Sequence, residues 1–443
     1  MSTATGLLAP IAAGIKKYID VAYCGDLTVF VAYPKVISKR ATTTARQSPI
    51  TPILDGYPMT HSAYARPAAS ETGDPLLLTP GPLTTSRTVK AAMVHDWGSR
   101  DASFVAINKK VLTRLCEIAN GKDDYVTVPM QGSGTFAVEA MLTSFVPTKG
   151  KVLVLINGAY GQRAKRILDI AGRATVVHET AEDAPPDLQE VEAILQRDPA
   201  ITHIFTIHCE TTSGILNPIE KIGALAALYK KSYLIDSMSA FGALPLDARG
   251  IHADAVAASS NKCIEGVPGL GFVICRRDAL AQTKGNATTL VLDLHDQWAN
   301  FEKTGQYRFT PPTHVIVAFH QALEEFTAEG GVPGRGGRYR NNCRILLEGM
   351  TALGFKPLLR ADLQAPIIVT FHMLEHPAFI FQRFYDGLKE RGFVIYPGKL
   401  TVADSFRIGC IGRLGETQMR DALAAVREVL DEMGVTNPST EAA

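Results

Sequence analysis

Between residues 125 and 275 one pattern recurs: a short apolar run rich in β-branched residues, then a segment with helical spacing. The runs occupy 125–129, 152–156, 175–178, 203–207, 233–235, 255–258 and 271–275. Between them, Ala137, Met141 and Leu142, or Ile219, Ile222, Leu225 and Leu228, recur at helical intervals. A run that is apolar at nearly every position has no face to give to water, so it belongs in a sheet covered on both sides. Strands alternating with helices predict βαβ units and a mostly parallel central sheet, an α/β architecture. Sheets of this kind place ligands at the carboxyl ends of their strands.

Beyond residue 330 the pattern changes. It predicts a helix over about 337–353, a strand at 366–371, a helix at about 379–391, strands near 393–396 and 405–409, and a final helix burying Ala422, Val426, Val429, Leu430 and Met433. The expected division is a large domain over 76–330 and a smaller α+β domain over 331–443. Residues 1–75 show no sustained periodicity, and 40–69 are rich in Thr, Ser, Pro and Ala, which predicts a poorly ordered extension. On this reading Met59 is an alternative start.

Several classes are disfavoured. A formal net charge of +1 with both signs interspersed gives no reason to expect nucleic acid or an anionic membrane as partner. The apolar stretch 7–15 precedes Lys16 and Lys17, the reverse of a signal peptide, and no run reaches the roughly 18 apolar residues of a membrane span. Seven scattered cysteines, without CxxC spacing or accompanying histidines, argue against disulfides or zinc and favour a reducing compartment such as the cytoplasm.

What the strand ends carry points to pyridoxal-phosphate chemistry, which needs a lysine amine, an acid facing the pyridinium nitrogen, an anion cradle and an aromatic face. Lys262 follows the run 255–258 in a glycine-rich loop, where burial frees its amine as a nucleophile; the plain alternative is a surface lysine on a turn. Asp236 ends the run 233–235, where a carboxylate keeps a pyridine nitrogen protonated or, more plainly, caps a turn. Gln131-Gly132-Ser133-Gly134-Thr135 lies between a strand and a helix expected to open near Phe136, so free amides and the helix dipole can hold a phosphate. It lacks the GK[ST] of a P-loop and the full GxGxxG of a dinucleotide fold. Tyr160, just after the run 152–156, can stack on a planar ring, and Thr211 and Thr212 offer hydroxyls to its phenolic oxygen or form a local turn.

Taken in order, these pieces resemble the fold-type I pyridoxal enzymes, specifically the class V aminotransferase group, and within it the 2-aminoethylphosphonate:pyruvate aminotransferases. The segments that carry the resemblance are LLLTPGPLTTSRTVK at 76–90, QGSGTFAVEA at 131–140, NGAYGQR at 157–163, CETTSGILNPI at 209–219, YLIDSMSAFG at 233–242, SSNKCIEGVPG at 259–269, RFTPPTH at 308–314, GFVIYPGK at 392–399 and FRIGCIG at 406–412. The resemblance implies pyridoxal 5′-phosphate on Lys262 as a Schiff base, Asp236 as pyridinium partner, Ser133, Gly134 and Thr135 as phosphate ligands, Tyr160 as stacking ring and Thr212 as partner of the phenolic oxygen. It implies a homodimer in which Thr310 and Tyr307 of the second subunit complete the phosphate site. It makes Arg407 the substrate arginine, a guanidinium fork suited to a phosphonate and to the carboxylate of pyruvate. Arg100 is a candidate second phosphonate contact. The implied reaction is ping-pong transamination; the alternatives are a serine or alanine:glyoxylate-type aminotransferase and an aminophosphonate ammonia-lyase.

Overall fold

The computed structural model describes residues 67–398 and 403–435. The expected extension lies outside the described residues as far as residue 66, and with it the alternative start at Met59.

All seven apolar runs form strands of one sheet: β1 (Tyr125–Gln131), β2 (Lys151–Ile156), β3 (Ala174–Glu179), β4 (His203–Ile207), β5 (Ser232–Asp236), β6 (Ala255–Ser259) and β7 (Leu270–Arg276). Their order is β1-β7-β6-β5-β4-β2-β3. Neighbouring strands are parallel except around β7, which runs antiparallel to both β1 and β6. Strands β1 to β6 therefore all end at one edge.

The side chains explain why the runs are apolar throughout. In β2, Leu153 and Leu155 enter one core with Phe104, Leu115, Ile222 and Phe319, whereas Val152, Val154 and Ile156 enter another with Met141, Ala164 and Leu168. Alternate residues face opposite sides of the sheet, and helices cover both. Helix Ile219–Leu228 corrects one expected face: Ile219, Ile222 and Ala226 are buried, but Leu228 is exposed. At about 100° per residue, Leu228 is half a turn away from Ile219, so both cannot face the sheet.

The C-terminal part packs around a separate core. Helix Gly331–Ala352 begins about six residues earlier than its glycines suggest and leads to an antiparallel sheet of Ile368–His372, Ser405–Gly409 and Tyr396–Pro397. The expected strand near 393–396 is split: Tyr396–Pro397 joins this sheet, and Phe393–Val394 pairs in parallel with Leu76–Leu77. Leu76 and Leu78 thus belong to the C-terminal core despite their distance in sequence. Residues 67–75, placed in the extension by their composition, follow the same surface, and Ala68 N donates to Arg391 O at 3.0 Å. Phe355 meets Phe371, Phe379, Phe384 and Phe406 at centroid distances of 5.3 to 6.3 Å. Phe406 and Ile408 point into this core. Period-two alternation therefore sends Arg407 to the opposite face, towards the strand ends of the large sheet.

Candidate active site

The loops after β1, β2, β4, β5 and β6 bring the expected residues to one edge. Gly132 connects β1 to helix Gly134–Phe145 at φ +116°, a conformation that side chains rarely adopt. Ser133 is the N-cap, yet its hydroxyl caps no amide. The first amides of this 12-residue helix, with Ser133, Gly134 and Thr135, are left for an anion. The helix opens two residues earlier than Phe136, which draws these residues into its first turn.

Asp236 closes β5 and is 6% exposed. Met238 N donates to its Oδ1 at 2.9 Å, and Oδ2 has no donor among the described residues. Burial raises its pKa from the ordinary 3.8 to about 6, a shift that Arg163 and Lys262 oppose. The carboxyl is still mostly ionised at neutral pH and has one oxygen free.

Lys262 lies three residues beyond β6. Its Nζ donates to Pro80 O at 2.7 Å and Gly81 O at 3.4 Å, and no carboxylate among the described residues is within ion-pair distance. Burial lowers its pKa, which favours the neutral amine. The segment 78–82 is pressed tightly here: a Cβ on Gly81 would lie 2.7 Å from Lys262 Cδ and 2.9 Å from Nζ. The reading of a lysine on an exposed turn is excluded by these contacts.

Tyr160 occupies the first turn of helix Ala159–Ile170 rather than a loop. The guanidinium of Arg163 sits 4.8 Å from its ring centroid. Thr212 accepts from Ala159 N at 2.9 Å and donates to Glu210 Oε1 at 2.6 Å, so its hydroxyl proton is already committed. Its expected bond to a phenolic oxygen is therefore not prepared by this geometry.

Glu210 is a residue the sequence reading passed over. Fully buried, it accepts from Thr212 N at 3.1 Å and Thr212 Oγ1 at 2.6 Å on Oε1, and from Tyr160 N at 3.2 Å and Gly161 N at 3.3 Å on Oε2. Burial pushes its pKa up, against the pull of those donors. The carboxylate thus ties the N-terminus of the Tyr160 helix to the loop after β4. An acid inside the apolar-flanked CETTSG segment was the available signal.

Arg407 is 5% exposed and projects from the C-terminal sheet. Nη1 donates to Thr211 O at 2.8 Å, and Nε and Nη2 each reach Pro397 O at 3.3 Å. No carboxylate among the described residues pairs with it, which removes the alternative of a surface ion pair. A buried guanidinium bonded to carbonyls, lying 5.9 Å from the Tyr396 ring centroid and paired with no carboxylate among the described residues, suits an incoming anion.

Thr310 and Tyr307 lie beside the cradle. Thr310 is exposed, and its carbonyl accepts from Gln131 Nε2 of the same chain, at the rim of the anion cradle. Tyr307 is half-buried; its hydroxyl is enclosed without a partner among the described residues, and its ring packs edge-on to Phe301 at 4.9 Å. Its ring lines a cavity with Gln131, Gly132, Phe136, Val291 and Phe309, beside the cradle. Arg100 is exposed on the segment before helix Ala102–Ile118.

These residues fit pyridoxal phosphate on structural grounds: a buried amine, a carboxylate with a free oxygen, and a helix N-terminus whose cap leaves its amides open. Known proteins agree. The model of the family described as aminotransferase class-V matches residues 86–378. A 2-aminoethylphosphonate–pyruvate transaminase of Pseudomonas putida is 53% identical over 361 residues, covering 82% of this chain and 98% of that one. Its counterpart in Burkholderia lata is 52% identical over 362 residues, again 82% of this chain and 98% of that one. Among solved structures, pyridoxamine-pyruvate aminotransferase of Mesorhizobium loti superposes with a TM-score of 0.75 at 23% identity, over 82% of this chain and 94% of that one. Alanine–glyoxylate aminotransferase of a Nostoc species gives 0.75 at 22% identity, over 81% and 95%. The solved structures establish the fold, that of the fold-type I enzymes, and the family match implies pyridoxal 5′-phosphate as cofactor. Sequence and architecture together place the chain in the class V aminotransferase family.

Proposed function

We propose that the chain transfers the amino group of 2-aminoethylphosphonate to pyruvate, yielding phosphonoacetaldehyde and L-alanine. The observation that carries this reading is Arg407, a buried cation without an acidic partner among the described residues, facing the edge that holds Lys262 and Asp236. A single guanidinium can grip the phosphonate in one half-reaction and the carboxylate in the other. The relatives that are about half identical over most of their length carry this activity in their names.

When bound, pyridoxal phosphate supplies an aldehyde that exchanges amines and a ring that draws electrons from the substrate carbon. The amides at Ser133 to Thr135 would hold the phosphate. Asp236, with one oxygen free, would keep the ring nitrogen protonated. Lys262, with its pKa lowered by burial, would hold the cofactor through its amine and would carry the proton to and from the substrate carbon. The carbonyls of Pro80 and Gly81 hold that amine within reach. Arg407 orients the anionic end of either substrate.

The working unit in this reading is a homodimer in the cytoplasm, with Thr310 of one subunit reaching the other's phosphate site. Among the described residues no helix is long and apolar enough to cross a membrane. An apolar patch beside the cradle, comprising Phe136, Leu290, Val291 and Phe309, all exposed, supports a second copy docking there.

The test is absorbance of the purified holoprotein during titration with 2-aminoethylphosphonate. Its visible band should bleach as the cofactor takes up the amino group, and pyruvate should restore it with formation of alanine. Lys262→Ala should lack the cycle. A wild-type band that ignores the aminophosphonate but responds to another amine would refute the proposed donor, and a Lys262→Ala protein that still turns over would refute the site.

A further inference from the structure

Arg163 has no part in the assignments above. It follows Tyr160 by three residues in helix Ala159–Ile170, so the two side chains share a face. Its Nη1 donates to Thr135 Oγ1 at 3.0 Å, and its guanidinium lies over the Tyr160 ring. No carboxylate among the described residues pairs with it, although it is half-buried and close enough to pull the Asp236 pKa down. This unbalanced cation stands at the open N-terminus of helix Gly134–Phe145.

The direction of the hydrogen bond matters. A guanidinium can only donate, so Thr135 is the acceptor in this contact and its own proton remains available. Thr212 is the opposite case, because its proton is directed at Glu210. Of these two hydroxyls, Thr135 is the one prepared to donate to an added anion.

We propose that Arg163 is the cationic member of the phosphate cradle: it orients Thr135 as a hydroxyl donor to the cofactor phosphate, offsets part of the dianion's charge and fixes the Tyr160 ring. Arg163 is in this sense a positioning residue, and its role rests on the pyridoxal-phosphate reading of the site. Its position three residues after an aromatic already singled out is the sequence signal, and only the fold shows where the guanidinium lands.

Equilibrium binding to the apoprotein tests this without reference to turnover, with pyridoxal phosphate and phosphate-free pyridoxal as the two probes. Arg163→Gln should weaken pyridoxal phosphate by roughly 10- to 100-fold, the range for a hydrogen bond to a charged group, and leave pyridoxal within about 2-fold. Adding Thr135→Val to that variant should cost little more, because both changes remove one arrangement. Equal weakening of both probes, no weakening of the phosphorylated one, or full additivity with Thr135→Val would overturn the proposal. Should Arg163→Gln fail to fold, Arg163→Lys is read by the same ratio, since an ammonium keeps the charge but loses the fork. A wild-type apoprotein that binds both probes equally would count against the cofactor reading itself, which separates the two failures.

Discussion

Asp236 shows how a buried carboxylate sets stability against the chemistry proposed for it. Its folded pKa of about 6 lies above the ordinary 3.8, so between these values the folded apoprotein holds more proton than the unfolded chain. Stability from this group is then present at low pH and is lost as pH rises through about 6. A shift of this size corresponds to about 3 kcal/mol. Asp236→Asn, which cannot ionise, should therefore melt higher than wild type as apoprotein, with a larger gain at pH 8 than at pH 5, and should lose most of its transaminase activity. Equal melting temperatures of the two apoproteins at pH 8 would show that the buried charge costs nothing. The aspartate and the lysine were legible in sequence because each ends or follows an apolar strand, where the topology exposes whatever comes next. Their protonation was not, because it depends on burial and, for Asp236, on Arg163, which comes from the helix after another strand.

At the level of elements, the site is held by helix starts as much as by side chains. Helix Ala159–Ile170 opens at Gly158, whose Cβ, if present, would lie 2.5 Å from the Glu210 carboxyl. No side chain of its own caps it, and Glu210 does so from the loop after β4. Glu210→Ala would strand three backbone amides in a dry interior and should cost about 3 kcal/mol, read as a lowered unfolding midpoint. The usual isostere should also destabilise, since both carboxylate oxygens accept and the NH2 of Gln would face either the Thr212 N–H or the two N–H groups of Tyr160 and Gly161. A Glu210→Gln protein as stable as wild type would contradict this account. Strand positions were readable because two-sided burial leaves an unbroken apolar run. The split of the expected strand near 393–396 was not, since Phe393–Val394 pairs with Leu76–Leu77, far away in sequence, while Tyr396–Pro397 pairs with the strand that carries Arg407.

For the whole molecule, the anion cradle borders an exposed apolar patch, and Thr310 stands exposed at its rim. If a second copy covers this patch, Phe309→Glu should shift the protein to monomer in sedimentation velocity and weaken pyridoxal phosphate binding by the apoprotein. A variant that remains dimeric would place the interface elsewhere. The sequence by itself determined the layered α/β architecture and singled out Lys262, Asp236 and the cradle as candidates at strand ends, while Arg407 came from the family resemblance. The architecture and the strand-end candidates rest on local periodicity and on the order of strands and loops, which are written along the chain. Only the tertiary structure decided that Glu210 anchors the Tyr160 helix, that Thr212 has spent its proton, that Tyr307 is enclosed and that Arg163 meets Thr135. The Glu210 and Arg163 contacts join segments that follow different strands, and packing in three dimensions, not spacing, sets which groups share a hydrogen bond.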